Sequence, residues 1–321
     1  TGVQTCALPI SGNPETLDQL PDNDIPSLAV TSLIPEISEG TKGLFRIDLS
    51  KPLAFTAPLN LGLRNDTAES SDYGFLEASG NRVYVLDASN NRQFLSMDGS
   101  GNVIVPVGVQ RLYVLVNTTQ DLVYEGDEKF FLDARLDLPG SVADPSGSAF
   151  AVISDDGSAP LYQLDGSNNP VPDVSGNPIG IAGAGDDDRP KALTISAPGD
   201  VSEGSPAVFK VSLDRVSDAI QPIKLDLQDV STEPADYKLP IGPFDVFYTD
   251  NLGNPQLLIK DLSGNYLIPG GVKDFYVVVR TVDDDVYEGL EKVALKGALL
   301  NLPGVSGSGE AGIIEIGRAH V

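Results

Sequence analysis

Three residue types are nearly missing from this chain of 321 residues, which has one cysteine, one histidine and no tryptophan. A single cysteine, Cys6, excludes an intrachain disulfide and any thiolate zinc site. The single histidine, His320, is the only base open to Ser–His–Asp or Cys–His chemistry, and it lies at the extreme end of the sequence. Basic residues are scarce as well, 21 against 46 acidic, for a net charge of −25. That excess argues against nucleic acid and anionic membrane surfaces, which need a positive patch, and is compatible with cations. No run approaches the ~18 apolar residues of a membrane span, so direct membrane insertion is not expected. No enzyme is expected either. Paired carboxylates are the raw material of a glycosidase, but these lie on loops with no aromatic platform beside them.

The two ends break with the composition between them. Residues 1–11 (TGVQTCALPIS) and 317–321 read as translated sequencing adapter, and residues 1–25 as a tail outside any core. The expectation is a slice of a longer gene.

Within the remainder the chain repeats itself. Ile37-Ser38-Glu39-Gly40 returns as Val201-Ser202-Glu203-Gly204, and Ser71-Asp72-Tyr73 as Ala235-Asp236-Tyr237. Val123-Tyr124-Glu125-Gly126 returns as Val286-Tyr287-Glu288-Gly289, and Leu138-Pro139-Gly140 as Leu302-Pro303-Gly304. The offset is 163 or 164 each time. Anchors in one order at one spacing mean two copies of a unit, placed at residues 26–156 and 191–316. Between them, residues 157–190 are a Gly/Pro/Asp-rich connector whose Leu161–Leu164 stretch is able to form a small strand.

Inside a unit the hydrophobic period is two, as in Phe209-Lys210-Val211-Ser212-Leu213 and Ile223-Lys224-Leu225-Asp226-Leu227, which is the mark of strands with one buried face. Leu112–Val116 and Phe275–Val279 are continuous apolar runs, expected as central strands packed on both sides. No segment keeps helical spacing. The fold class is all-β: two tandem antiparallel sandwiches of about seven core strands, each with an inserted β-hairpin, near Val83–Val105 and Val246–Ile268.

Antiparallel strands alternate in direction, so connections one, three and five share an end with a unit's C-terminus. In the second unit these carry Glu203, Asp236 and the group Asp283, Asp284, Asp285, Glu288 and Glu291. Strand count alone therefore gathers them at one pole. Two charges 4 Å apart repel by about 4 kcal/mol at an effective dielectric near 20, so such acids either spread into solvent or share a cation. Oxygen ligands on flexible loops, with no His or Cys, select Ca²⁺ over zinc or copper, and over magnesium with its tight octahedron. On charge pattern alone, a solvated acidic loop and a calcium site are equal readings.

The order S-E-G, Asp-Tyr, then D-D-D-V-Y-E-G-x-E resembles the Calx-β domain family over nearly all of residues 26–156 and 191–316. The resemblance implies an immunoglobulin-like sandwich whose acidic pole binds calcium. It assigns the ligand role to Glu203, Asp236, Asp283, Asp284, Asp285, Glu288 and Glu291, with Val286 offering its carbonyl. In the first unit the matching positions are Glu39, Asp72, Asp121, Glu125 and Glu128, with Asp155 and Asp156 as the family's terminal acids. Gln120 and Leu122 replace two acids of the triplet there, so the second unit is expected to bind better. Asp186–Asp188 either solvates the connector, the favoured reading, or adds late ligands to the first pole. The expected function is that of calcium-binding stalk modules in a bacterial extracellular adhesin or membrane-associated cell-surface protein, with neighbouring repeats of the same chain as partners. The alternative is a carbohydrate- or protein-binding module that presents Tyr84, Phe94, Phe247 and Tyr248 of the inserted hairpins to a surface glycan or protein. Set against that alternative, the same aromatics serve to anchor the hairpins.

Overall fold

In a computed structural model the chain is described over residues 25–75, 82–139, 143–233, 236–238, 246–285 and 287–314. The tail 1–24, the end 315–321 and Val286 lie outside the described residues. Among the described residues the structure is all-β, with no helix.

Each unit is a sandwich of two sheets. In the first, Leu28–Ser32, Lys42–Leu49, Arg111–Thr118, Val83–Leu86 and Arg92–Phe94 lie side by side, with Tyr73–Phe75 also on Arg111–Thr118. The facing sheet runs Glu36–Ser38, Ser146–Ser154, Glu128–Leu136, Ala57–Asn65 and Val103–Val105. The second unit repeats this order from Leu193–Ser196 and Val201–Ser202 to Ser306–Ile314. Between the sheets of the first unit, Phe45, Ile47, Leu112, Val114, Phe130 and Leu132 are fully buried. Their counterparts in the second include Phe209, Val211, Phe275, Val277, Val293 and Leu295.

The inserted segments go further than a hairpin. Val83–Leu86 and Arg92–Phe94 form one, and Val103–Val105 then crosses to pair with Ala57–Leu59 of the opposite sheet. Val246–Thr249, Pro255–Leu257 and Tyr266–Ile268 do the same. All the turns share one device, Asp-x-x-[Gly/Asn]-Asn. The Asp carboxylate accepts the backbone N–H groups two and four residues on, at Asp87, Asp98, Asp250 and Asp261. The fourth residue has positive φ, from 66° at Asn90 to 87° at Gly264, a region reached by glycine and asparagine at little cost.

The connector is built the same way. Asp165 and Asp173 close two further turns of this kind, and Leu161–Tyr162 pairs with Gly180–Ile181. A stretch expected to be a largely irregular connector is thus an ordered hairpin closed by the same turns as the insertions. It lies across the outward face of the first unit's sheet. Lys42 Nζ donates to the Ser167 carbonyl at 2.8 Å and to Asn169 Oδ1 at 2.9 Å, Arg92 pairs with Asp165, and Asn90 Nδ2 donates to the Asp173 carbonyl at 2.8 Å.

Direction decides where the acids fall. Lys42–Leu49 begins, and Arg111–Thr118 ends, at the same pole, as the pairing of Lys42 with Asn117 shows. Ala57–Asn65 and Ser146–Ser154 end there and Glu128–Leu136 starts there. Leu28–Ser32 runs toward this pole and Ser146–Ser154 finishes at it, so the unit's first and last strands start and stop at opposite extremities.

Candidate metal centre at the acidic poles

One grouping of acids occurs in both units. In the first unit Asp72, Glu125 and Glu128 each bring a carboxylate oxygen within 4.8 Å of the others, and in the second Asp236, Glu288 and Glu291 do so. These positions correspond one for one across the repeat.

Local structure explains the placement. Asp72 closes the loop entering Tyr73–Phe75: its carboxylate accepts the Glu69 N–H at 2.6 Å, and its carbonyl accepts the Thr119 N–H at 2.7 Å. Asp236 repeats both bonds, with Glu233 and Val282. The next residue anchors the loop, since the Tyr73 ring stacks on Phe130 at 4.3 Å and its hydroxyl reaches Asn65, as that of Tyr237 reaches Asp229. Glu128 and Glu291 stand at the start of their long strands, and Glu125 and Glu288 on the loops before them.

Glu39 and Glu203 form the second element of each pole. Glu39 Oε1 accepts the Asp121 N–H at 3.1 Å, and Glu203 Oε1 the Asp284 N–H at 3.0 Å. The glycine that follows explains the S-E-G motif. Gly40 has φ 71° and Gly204 φ 75°, and a Cβ on Gly204 would stand 2.9 Å from the Cβ of Asp283. Only glycine lets the acidic loop settle here.

The electrostatics are those of carboxylates short of partners. Burial, and then neighbouring acids, push Glu39 and Glu128 up to about 8, Glu125 and Glu291 to about 7, and Asp155 and Glu288 upward. Asp155, only 3% exposed, accepts the Glu125 N–H on Oδ2 at 2.8 Å. Its Oδ1, with Glu128 Oε2 and Glu203 Oε2, is buried without a hydrogen-bond partner. Buried oxygens left so at both poles, though at different positions in each, call for a positive ligand. The donor set is oxygen alone, from Asp, Glu and backbone, and fits a hard cation of calcium's kind.

Not every expected ligand joins in. Asp156 turns away, accepting from Ser154 and Ser158 and lying near Arg189, because Asp156 pairs with Asp187 of the connector. Asp121 is exposed and its carboxylate accepts the Val123 N–H at 2.7 Å, so its contribution to the pole is its backbone N–H. Asp283, Asp284 and Asp285 are exposed, but their loop stays at the pole through the Asp284 N–H on Glu203, beside the triad rather than in it. The favoured reading of Asp186–Asp188 is corrected: Asp186 and Asp188 lie against Glu39, with carboxylate oxygens within 4.8 Å, and Asp188 is 1% exposed. They were illegible as ligands because the pairing that delivers them belongs to the connector, some thirty residues beyond the strand they adjoin.

The inserted aromatics divide. Tyr84 is fully buried, stacked on Tyr113 at 5.1 Å, with Phe94 edge-on at 5.7 Å. Phe247 stacks on Tyr276 at 5.3 Å, and Tyr248 packs against the second core.

The sequence matches no protein-family model and no curated protein. Among solved structures, the apo form of the Calx CBD1 domain is 17% identical, covering 39% of this chain and 99% of its own, with a TM-score of 0.25. CBD12 from CALX1.2 is 12% identical over 88% of this chain and 99% of its own, with a TM-score of 0.27. The CupB6 tip adhesin from Pseudomonas aeruginosa is 12% identical over 92% and 99%, also at 0.27. At such scores the likeness carries nothing about function, which has to come from the chain's own residues.

Proposed function

We propose that this chain is a pair of calcium-binding β-sandwich modules, serving as structural segments in the extracellular part of a bacterial surface protein of adhesin type. One observation carries the reading. The carboxylate triad Asp72–Glu125–Glu128 recurs, through the same loop hydrogen bonds, as Asp236–Glu288–Glu291. Solvated acidic loops have no need to converge twice on one geometry, beside buried unpartnered oxygens at Glu128 and Asp155 in the first unit and Glu203 in the second.

The remaining ligand set follows the repeat: Glu39, Asp155 and the Asp121 loop in the first unit, Glu203 with Asp283, Asp284, Asp285 and the Val286 carbonyl in the second. Extracellular calcium modules work at dissociation constants of roughly 10⁻⁴–10⁻³ M, within reach of loosely held carboxylates. Each unit's first strand starts, and its last strand stops, at opposite extremities, which suits end-to-end stacking, and a net charge of −25 favours solubility. Neighbouring repeats of the same chain are the natural partners of such a stalk, and no catalysis is assigned.

Calorimetric titration with Ca²⁺ tests this directly. The wild-type chain should bind, and Asp236→Asn with Glu291→Gln should remove binding from the second unit while sparing the first. A melting temperature unmoved by both Ca²⁺ and chelator would sink the proposal, because a ligand bound only to the folded state must stabilise it.

A further inference from the structure

The first unit contains a second acidic cluster that no strand of its own sandwich explains. Glu39 belongs to the unit, whereas Asp186 and Asp188 arrive from the connector. At its centre lies Gln120. The Gln120 Nε2 stands 2.8 Å from the Asp121 carbonyl, 3.0 Å from Asp186 Oδ2, and 3.4 Å from both Glu39 Oε2 and Asp188 Oδ2. An amide nitrogen has two protons to give, so the four oxygens share them. Four oxygens thus converge on one neutral amide. Beside them Asp155, 3% exposed, keeps an unpartnered Oδ1, and its charge raises the carboxyls of both Glu39 and Asp188.

The connector holds its acids by main-chain bonds. Asp186 N–H donates to Ser38 Oγ, and Asp188 N–H to the Asp155 carbonyl, both at 2.7 Å. Gly185 lies so close that a Cβ there would meet Ser38 Oγ at 2.9 Å. Upstream, the hairpin is fastened to the sheet through Lys42 and Arg92; downstream, Arg215 of the second unit takes Asp188 Oδ1 and leaves Oδ2 facing Gln120.

We propose that the connector hairpin is a strap that carries Asp186 and Asp188 to Glu39 and so completes a divalent-cation site in the first unit, with Lys42 and Arg92 as positioning residues. The proposal rests on the calcium reading of the poles. It differs in its ligands, half of which come from outside the sandwich, and in its dependence on two basic side chains that touch no ligand oxygen of the site.

The test compares the full chain with Lys42→Ala/Arg92→Ala and with Asp186→Asn, by Ca²⁺ calorimetry and by amide hydrogen exchange without the ion. Freeing the strap should speed exchange over residues 161–188 and weaken one Ca²⁺ event roughly tenfold, the usual effect of removing a residue that orients ligands. Asp186→Asn should weaken the same event with exchange unchanged, and the triad events should persist in both variants. A released strap with a wild-type isotherm overturns the proposal, as does an Asp186→Asn isotherm identical to wild type. If the wild-type chain takes up no Ca²⁺, the metal reading of the poles falls and this site with it. Exchange in the double variant then still decides whether Lys42 and Arg92 hold the strap.

Discussion

The two units share a strand order and a triad, yet they treat the same outward sheet face differently. In the first, Leu44, Tyr84, Tyr113 and Leu115 point away from the inter-sheet core and are nevertheless at most 2% exposed. In the second, Val208, at the position of Leu44, is 38% exposed, and Phe247, Tyr276 and Val278, at those of Tyr84, Tyr113 and Leu115, are half-buried. The strap makes this difference. Where it lies, an outward face becomes a second core; over the second unit, where the described residues include no such hairpin, the same strip is only half-covered. The residues that fasten it have changed accordingly: Lys42, Asn90 and Arg92 correspond to Pro206, Gly253 and Pro255.

Replacing residues 161–181 by a Gly/Ser linker of equal length should therefore have the largest effect, and on one unit only. Uncovering Tyr84, Tyr113, Leu44 and Leu115 to the half-buried state of their counterparts costs on the order of 3 kcal/mol, a fraction of the roughly 6–12 kcal/mol that full burial of four large side chains is worth. Calorimetric unfolding should show one transition lowered by about 10 °C and the other unmoved, with new binding of a hydrophobic dye. Equal shifts of both transitions would mean that the strap stabilises the pair rather than the first sandwich.

Acidity separates the poles more finely. Glu39, Glu125, Glu128 and Asp188 in the first unit, and Glu291 in the second, are carboxyls whose folded-state pKa lies above the unfolded value. A group of this kind contributes stability that is fully present below its unfolded pKa and is lost as pH rises through the folded one. Without calcium, both transitions should fall between pH 5 and pH 8.5, by about 5 °C for the first unit and less for the second. Saturating Ca²⁺ should flatten the profile, because the ion takes the place of the protons. A first-unit transition that rises with pH in chelator would contradict the crowding of these acids.

Much of this architecture was legible in the sequence. Period-two alternation named the strands, and the offset of 163 or 164 gave two copies. Direction alternation alone put Glu203, Asp236 and Glu288 at one end, since that argument needs only the parity of the strand count. Leu112–Val116 is buried on both faces as expected, whereas in Phe275–Val279 Tyr276 and Val278 are only half-buried, for want of a strap. The strap itself was hidden by composition. Gly, Pro, Asn and Asp read as a linker until the spacing of Asp165-Asn169 and Asp173-Asn177 is set beside that of Asp87-Asn91 and Asp98-Asn102. What no spacing reveals is where a hairpin docks, because Lys42 and Arg92 are on strands far away in sequence. Asp156 was misplaced for the same reason: its side chain obeys a bridge to Asp187.

Gln120 offers a smaller lever on the same comparison, for it corresponds to Asp283. Gln120→Asp puts a charge where the amide nitrogen meets four oxygens. Calcium affinity of the first unit should rise about tenfold, in keeping with the effect of added ligand charge, while the calcium-free form loses about 1 kcal/mol to repulsion. Unchanged affinity would show that the oxygens around Gln120 do not act as a shell.

The finest comparison lies in Gly40 and Gly204, which have nearly the same φ and meet the same obstacle. Alanine at either position is strained by positive φ, at a cost of about 1 kcal/mol. A new Cβ at Gly40 would stand 3.0 Å from the Gln120 Cβ, and one at Gly204 2.9 Å from the Asp283 Cβ. Gln120 Oε1, at 2.5 Å, is able to swing away, but neither Cβ is, so the loop backbone has to move in both units. That movement drags Asp121 N–H from Glu39 and Asp284 N–H from Glu203. Gly40→Ala and Gly204→Ala should therefore each weaken Ca²⁺ binding in their own unit severalfold beyond their cost in stability. An unchanged Ca²⁺ titration in either variant would show that its acidic loop does not depend on this close approach.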